Sequence, residues 1–243
     1  MASIAPRDRL IVALDFPTVA EARALVRRLG SAVTFYKLGL ELVMDGGLEL
    51  ARELVGAGAL VFLDMKLLDI ENTVERATRS AAATGATFLT VHAQDAKALR
   101  AAVAGKAGTD LKILGVTVLT NLDAGDLREQ GIDTSPEELV VRRAALAREA
   151  GCDGVVASGQ EAARVRAVVG AGMTIVTPGI RMPGDAAGDQ ARVTGPQQAI
   201  AAGADYLVVG RPITGAADPR QAAEVFVQEI EEALALRSLG PQG

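Results

Sequence analysis

Tryptophan is missing from this chain, which carries only two Tyr and five Phe in 243 residues. So small an aromatic content argues against a surface that stacks nucleic-acid bases, and a net charge of -5 argues against general binding to a phosphate backbone. No nucleic-acid partner is expected, and any phosphate recognised should be a small, local one. A lone cysteine, Cys152, rules out an internal disulfide; flanked by Gly151 and Asp153 in a turn-like stretch, it reads as structural. A lone histidine, His92, cannot build a zinc site of the usual kind and is expected as a hydrogen-bonded residue in a pocket wall. The opening "MASIAPRDRLIVALDF" lacks the apolar run of a signal peptide or membrane span, so the expectation is a cytoplasmic protein with no membrane partner. Lysine is also scarce: of 25 basic residues only Lys37, Lys66, Lys97, Lys106 and Lys112 are not Arg. Lys inside an apolar strand therefore stands out.

What is present is the composition of a soluble globular protein, 49% apolar and 23% charged. The length suits one (β/α)8 barrel, which typically takes about 250 residues. Short runs rich in Val, Ile and Leu alternate with Ala-rich stretches of helical period, the pattern of βαβ units around a parallel sheet. Eight strands are predicted: Leu10 to Asp15, Phe35 to Gly39, Leu60 to Lys66, Phe88 to His92, Lys112 to Leu119, Gly154 to Ala157, Thr174 to Thr177 and Tyr206 to Val209. Their near-continuous apolar character means that both faces are covered. No linker divides the chain, so residues 1–243 read as a single TIM-barrel domain with a tail, about 237–243, that is expected to fray. Two connections, Asn121 to Pro136 and Arg181 to Gly195, are long for a barrel and read as lids or binding loops.

Charge recurs at the carboxyl ends of the predicted strands, the face on which barrels assemble active sites. Asp15 ends "IVALDF", Lys37 sits in "FYKLGL", Asp64 and Lys66 sit in "FLDMKLLDI", and His92 ends "FLTVH". Asp64 and Lys66 are two apart and so share one strand face. A structural ion pair filling the barrel mouth is the competing reading, weakened because buried pairs lose solvation and seldom stabilise. Asp69 lies too far along to share that face; helix capping before "ENTVERA" and a functional role both stay open. In the last strand's "YLVVGRPI", Gly210 allows close backbone approach and Arg211 supplies a fork of donors. Arg181, Gln190, Gly210 and Arg211 form a candidate phosphate set, in preference to solvated surface arginines, because barrels often hold phosphate after strands seven and eight.

"IVALDF", "KLGLEL", "FLDMKLLDIENTV", "TVLTN", "GVVAS", "TPGIR", "GDQAR" and "YLVVGRPIT" together resemble the orotidine 5'-phosphate decarboxylase family from about Leu10 to Thr214. The DxKxxD motif alone is shared with sugar-phosphate decarboxylases and aldolases of the same barrel superfamily; "NTV", "TPGIR" and "DQAR" narrow the likeness. The resemblance implies conversion of orotidine 5'-monophosphate to UMP and CO2, the last step of pyrimidine nucleotide synthesis, with no cofactor and no metal. It implies Lys66 as proton donor, Asp64 beside it and Lys37 completing an alternating network. Asp69 and Thr73 would reach into the neighbouring subunit's site of a homodimer. Asp15 and Lys37 would hold ribose hydroxyls, Thr120 would lie at the pyrimidine, and Arg181, Gln190, Gly210 and Arg211 would face the phosphate. Leu68 and Glu71 replace the His and the Pro or Gly usual in bacterial members, and "QDAKAL" replaces a Gly-rich continuation after "VHA". The alternatives are a Mg²⁺-dependent sugar-phosphate decarboxylase or aldolase and a catalytically silent phosphate-binding barrel.

Overall fold

The computed structural model describes residues 4–182 and 193–238. Eight parallel strands close into a barrel in sequence order: β1 Leu10–Ala13, β2 Phe35–Leu38, β3 Leu60–Leu67, β4 Phe88–His92, β5 Lys112–Val116, β6 Gly154–Val156, β7 Thr174–Thr177 and β8 Tyr206–Val209. Pairing of Ile11 with Val208 joins β1 to β8 and closes the ring. All eight predicted strands exist. Several end one to three residues early, because the chain leaves the ladder at the carboxyl rim to build the loops of the mouth.

Alternation of side chains divides the buried residues in two. Leu10, Val12, Tyr36, Leu38, Val61, Leu63, Leu89 and Val91 belong to the core between strands and helices, where helices such as Val19–Leu29 and Pro219–Ser238 bury their apolar faces. The opposite set, Ile11, Ala13, Phe35, Phe62, Phe88, Leu114, Val176, Tyr206 and Val208, fills the barrel. Four of the chain's few aromatic rings meet there: Phe88 lies 5.2 Å from Phe35 and 5.2 Å from Tyr206 between ring centroids, and 5.9 Å from Phe62. Edge-on and tilted contacts of this kind add to the burial of large apolar area. They form a solid floor, and a step of two residues up each strand leads from Phe35 to Lys37, from Phe62 to Asp64 and from Ala13 to Asp15. The polar layer thus sits directly on the aromatic one.

The long connection from Asn121 to Pro136 is not an open loop. It holds a helix, Ala124–Glu129, with a reciprocal cap in which Asp123 accepts from the Asp126 N–H and Asp126 accepts from the Asp123 N–H. Most of the other long connection lies outside the described residues; its flanks are tied by a bridge between Ile180 and Thr194. The last described helix, Pro219–Ser238, runs into the tail expected to fray, whose remainder, 239–243, lies outside the described residues. No described helix is long and apolar enough to cross a membrane.

Candidate active site

Three neighbouring strands deliver one row of four alternating charges. Asp15 follows β1, Lys37 lies on β2, and Asp64 and Lys66 lie on β3. Lys37 Nζ is 2.8 Å from Asp15 Oδ1 and 3.6 Å from Asp64 Oδ2, and Lys66 Nζ is 2.8 Å from Asp64 Oδ2. The side chains of Lys37 and Asp64 are only 10% and 13% exposed, while that of Asp15 is 60% exposed. The row therefore dips from the exposed Asp15 to the buried Lys37 and Asp64 and rises again at Lys66, whose side chain is 30% exposed.

Burial alone would discharge such groups. It pulls the Lys37 ammonium down, but the attraction of Asp64 and Asp15 outweighs burial and holds its pKa above the ordinary lysine value. Burial likewise pushes Asp64 up, and Lys37, Lys66 and the hydrogen bonds from Lys66 and Thr90 together hold its carboxyl below the ordinary value. Both remain ionised at neutral pH. The result is a fixed, buried carboxylate between two ammonium groups.

Asp64 and Lys66 do share a face, though not by simple alternation. β3 and β4 pair Leu63 with Leu89 and then resume at Leu67 with Val91, a register shift with Lys66 inside it. Lys66 has φ +48°, and no other described non-glycine residue has a positive φ. This conformation costs about 1–3 kcal/mol for a residue other than glycine and needs surroundings that enforce it. The Lys66 N–H donates to Thr90 Oγ1 at 2.9 Å, and that hydroxyl donates to Asp64 Oδ1 at 2.9 Å. Thr90 is fully buried. The sequence does not announce this contact, since a threonine inside "FLTVH" is an ordinary strand former.

Above the aromatic floor lies a cavity of about 350 Å³ lined by Asp15, Lys37, Asp64, Lys66 and Thr120, with Phe62, Val116, Val156 and Val208 among its apolar lining. A second recess of about 300 Å³ shares Asp15, Pro178 and Val208 with the first and is lined by Arg181, Gly210 and Arg211. A ligand could therefore place an anionic group at the arginines and a planar body over the apolar floor. Arg181 is 9% exposed and its Nη1 donates to the Ile180 carbonyl at 2.8 Å, so it is not a solvated surface arginine. Arg211 is exposed on the rim. Gln190 lies outside the described residues.

Asp69 and Thr73 line neither recess and are exposed. Asp69 does not cap the following helix, Glu71–Ala82: the N-cap is Ile70, with no side-chain cap, and Asp69 Oδ1 accepts from the Ile70 N–H at 2.7 Å. It lines a separate groove with Leu68, Ile70, Glu71, Asp95 and Lys97, where Leu68 is 50% and Ile70 72% exposed. The unusual "QDAKAL" acquires a local reason here, since Asp95 accepts from the Lys97 and Ala98 N–H groups and starts the helix Ala96–Gly105. His92 is not the hydrogen-bonded wall residue expected. It does not line the charged cavity, its buried Nδ1 finds no partner among the described residues, and burial, with Lys66 and Arg143 nearby, lowers its pKa. Cys152 is structural as expected: buried beside Asp153, its thiol is pushed up to about 12 and is inert at neutral pH.

The sequence model of the orotidine 5'-phosphate decarboxylase / HUMPS family matches residues 8–226. Among curated proteins, the orotidine 5'-phosphate decarboxylase of Bradyrhizobium sp. strain BTAi1 is 56% identical over 233 residues, 96% of each chain. That of Afipia carboxidovorans is 56% identical over 225 residues, 93% of this chain and 95% of the relative. The crystal structure of orotidine 5'-phosphate decarboxylase from Lactobacillus acidophilus superposes with a TM-score of 0.82 at 34% identity, covering 92% of this chain and 99% of the other. With the family pattern matched from β1 to the last helix and the charged row at the barrel mouth, this chain belongs to the orotidine 5'-phosphate decarboxylase / HUMPS family.

Proposed function

We propose that the chain decarboxylates orotidine 5'-monophosphate to UMP and CO2, the closing step of pyrimidine nucleotide synthesis, without a cofactor or a metal. The observation that carries this reading is the unbroken row Asp15, Lys37, Asp64, Lys66 beside a recess lined by Arg181 and Arg211. Loss of CO2 from C6 of the pyrimidine leaves a carbanion with little resonance help, so the protein has to supply the electrostatics. Asp64, kept ionised, disfavours a second carboxylate beside it. Lys66 favours the negative charge that develops at C6 and then gives C6 its proton. Both groups are held in place before substrate arrives, so little reorganisation is needed at the moment of reaction.

Lys37 and Asp15 take the ribose hydroxyls, Thr120 meets the pyrimidine, and Arg181, Gln190, Gly210 and Arg211 hold the phosphate. Phosphate binding, remote from C6, supplies binding energy that can be expressed in the transition state. In this reading the chain works as a homodimer. The exposed Leu68 and Ile70 make contact with the partner, and Asp69 and Thr73 complete the neighbouring chain's site.

The Mg²⁺-dependent sugar-phosphate reading is disfavoured on chemical grounds, because a divalent cation would have to displace the ammonium groups that already bracket Asp64. Incubation of purified protein with orotidine 5'-monophosphate in EDTA, followed by ultraviolet absorbance, tests the choice. Stoichiometric UMP, with EDTA making no difference, is expected. No UMP formation, together with Mg²⁺-dependent turnover of a sugar phosphate, would overturn the proposal.

A further inference from the structure

Between the paired positions Leu63 and Leu67, β3 carries Asp64, Met65 and Lys66; between the matching positions Leu89 and Val91, β4 carries Thr90 alone. A strand with extra residues bulges and loses part of its ladder. At this bulge the Lys66 N–H, which in a regular ladder would meet a backbone carbonyl, meets the Thr90 hydroxyl instead. That hydroxyl has one proton and gives it to Asp64 Oδ1, leaving its lone pairs for the amide. Asp64 uses its other oxygen, Oδ2, to receive Lys66 Nζ.

These bonds close a ring. Thr90 holds the backbone of Lys66 directly and holds its ammonium through Asp64. It also gives the left-handed backbone at Lys66 a hydrogen-bonded reason to persist. Thr90 is buried behind the cavity and does not line it, so it has no route to a bound ligand except through these neighbours.

We propose that Thr90 is a positioning residue that fixes the Asp64–Lys66 pair and the bulged Lys66 backbone for proton delivery. The value of that geometry rests on the decarboxylase reading, and the test separates the two. Thr90→Val keeps the shape but leaves the Lys66 N–H and Asp64 Oδ1 buried and unpaired; Thr90→Ser keeps the hydroxyl. With Thr90→Val, kcat is expected to fall about 10- to 100-fold, while KM and the Kd for UMP change by less than about threefold. Thr90→Ser is expected to restore kcat to within about fivefold of wild type. A merely structural role would lower melting temperature in step with side-chain volume, with turnover per folded molecule unmoved. A crystal structure of Thr90→Val is expected to show Lys66 out of the positive-φ region.

An active wild type with an equally active Thr90→Val variant overturns the inference and leaves the decarboxylase reading intact. An inactive wild type defeats that reading, and the inference then falls if Lys66 keeps its positive φ in the Thr90→Val crystal. Should Thr90→Val not fold, Thr90→Cys carries the same test, since a thiol is a weaker donor and acceptor; wild-type turnover in that variant would overturn the proposal.

Discussion

Lys37 keeps its charge with a side chain that is 10% exposed, because two carboxylates flank it. Removing either partner of such a buried pair costs far more than the pair itself contributes. His92 is the contrasting case: burial and the nearby Lys66 and Arg143 lower its pKa, and Asp64 only partly opposes them. The folded chain therefore binds fewer protons at this site than the unfolded chain between the lowered value and about 6.5. Stability from His92 is complete above that window and is lost as pH falls through it. As His92 is the only histidine, an NMR titration reads it without ambiguity, and a midpoint below 6.5 is expected; a midpoint at or above 6.5 would contradict the account. Lys37, Asp64 and Lys66 were legible in the sequence because charge is conspicuous inside an apolar strand. Thr90 was not, since threonine is an ordinary strand former. Neither was the left-handed Lys66 backbone, which depends on how many residues the neighbouring strand places opposite it.

At the scale of elements, runs of Val, Ile and Leu located every strand, because both faces of a barrel strand are buried. Strand ends were less legible, since the apolar runs continue past the last ladder pair, as Leu14 does after Ala13 and Val118 and Leu119 do after Val116. Asp69 illustrates a limit of local rules: an Asp before a helix suits a cap, yet the helix starts one residue later than capping would need. Packing between helices was hidden altogether. The helices Glu71–Ala82 and Ala96–Gly105 approach so closely that a Cβ on Gly105 would press on the Glu75 carbonyl and lie 2.9 Å from Thr78 Cβ. Gly105→Ala is expected to destabilise the fold by about 1–3 kcal/mol, seen as a melting temperature lower by roughly 3–10 °C. An unchanged melting temperature would mean that the two helices part easily. The helix Glu71–Ala82 follows directly on the Asp69 segment.

For the whole molecule, closure of the barrel brings Asp15, Lys37, Asp64 and Arg211 to one rim, although they are separated by up to 196 residues of sequence (211 − 15). That convergence was legible from the strand count and the barrel's rule that loops after strands carry the site. A second copy enters only as an expectation from family resemblance, because exposed side chains such as Ile70 carry no signal of a partner in the chain's own periodicity. If two chains share their sites, Lys66→Ala and Asp69→Ala proteins are each expected to be nearly inactive alone. Unfolded and refolded together, they should recover about a quarter of wild-type activity, since about half of random dimers are mixed and each mixed dimer holds one intact site. A mixture no more active than its parts would contradict shared sites.

In the proposed reading, the charge in "FLDMKLLDI" is there for chemistry, with Lys66 giving the proton. That reading is tested most directly by measuring conversion of orotidine 5'-monophosphate by wild type and by Lys66→Ala, with UMP binding to both measured by calorimetry. Wild type should convert the substrate, and Lys66→Ala should still bind UMP while its turnover falls by about 10⁴-fold or more. Turnover by Lys66→Ala close to that of wild type would contradict the account.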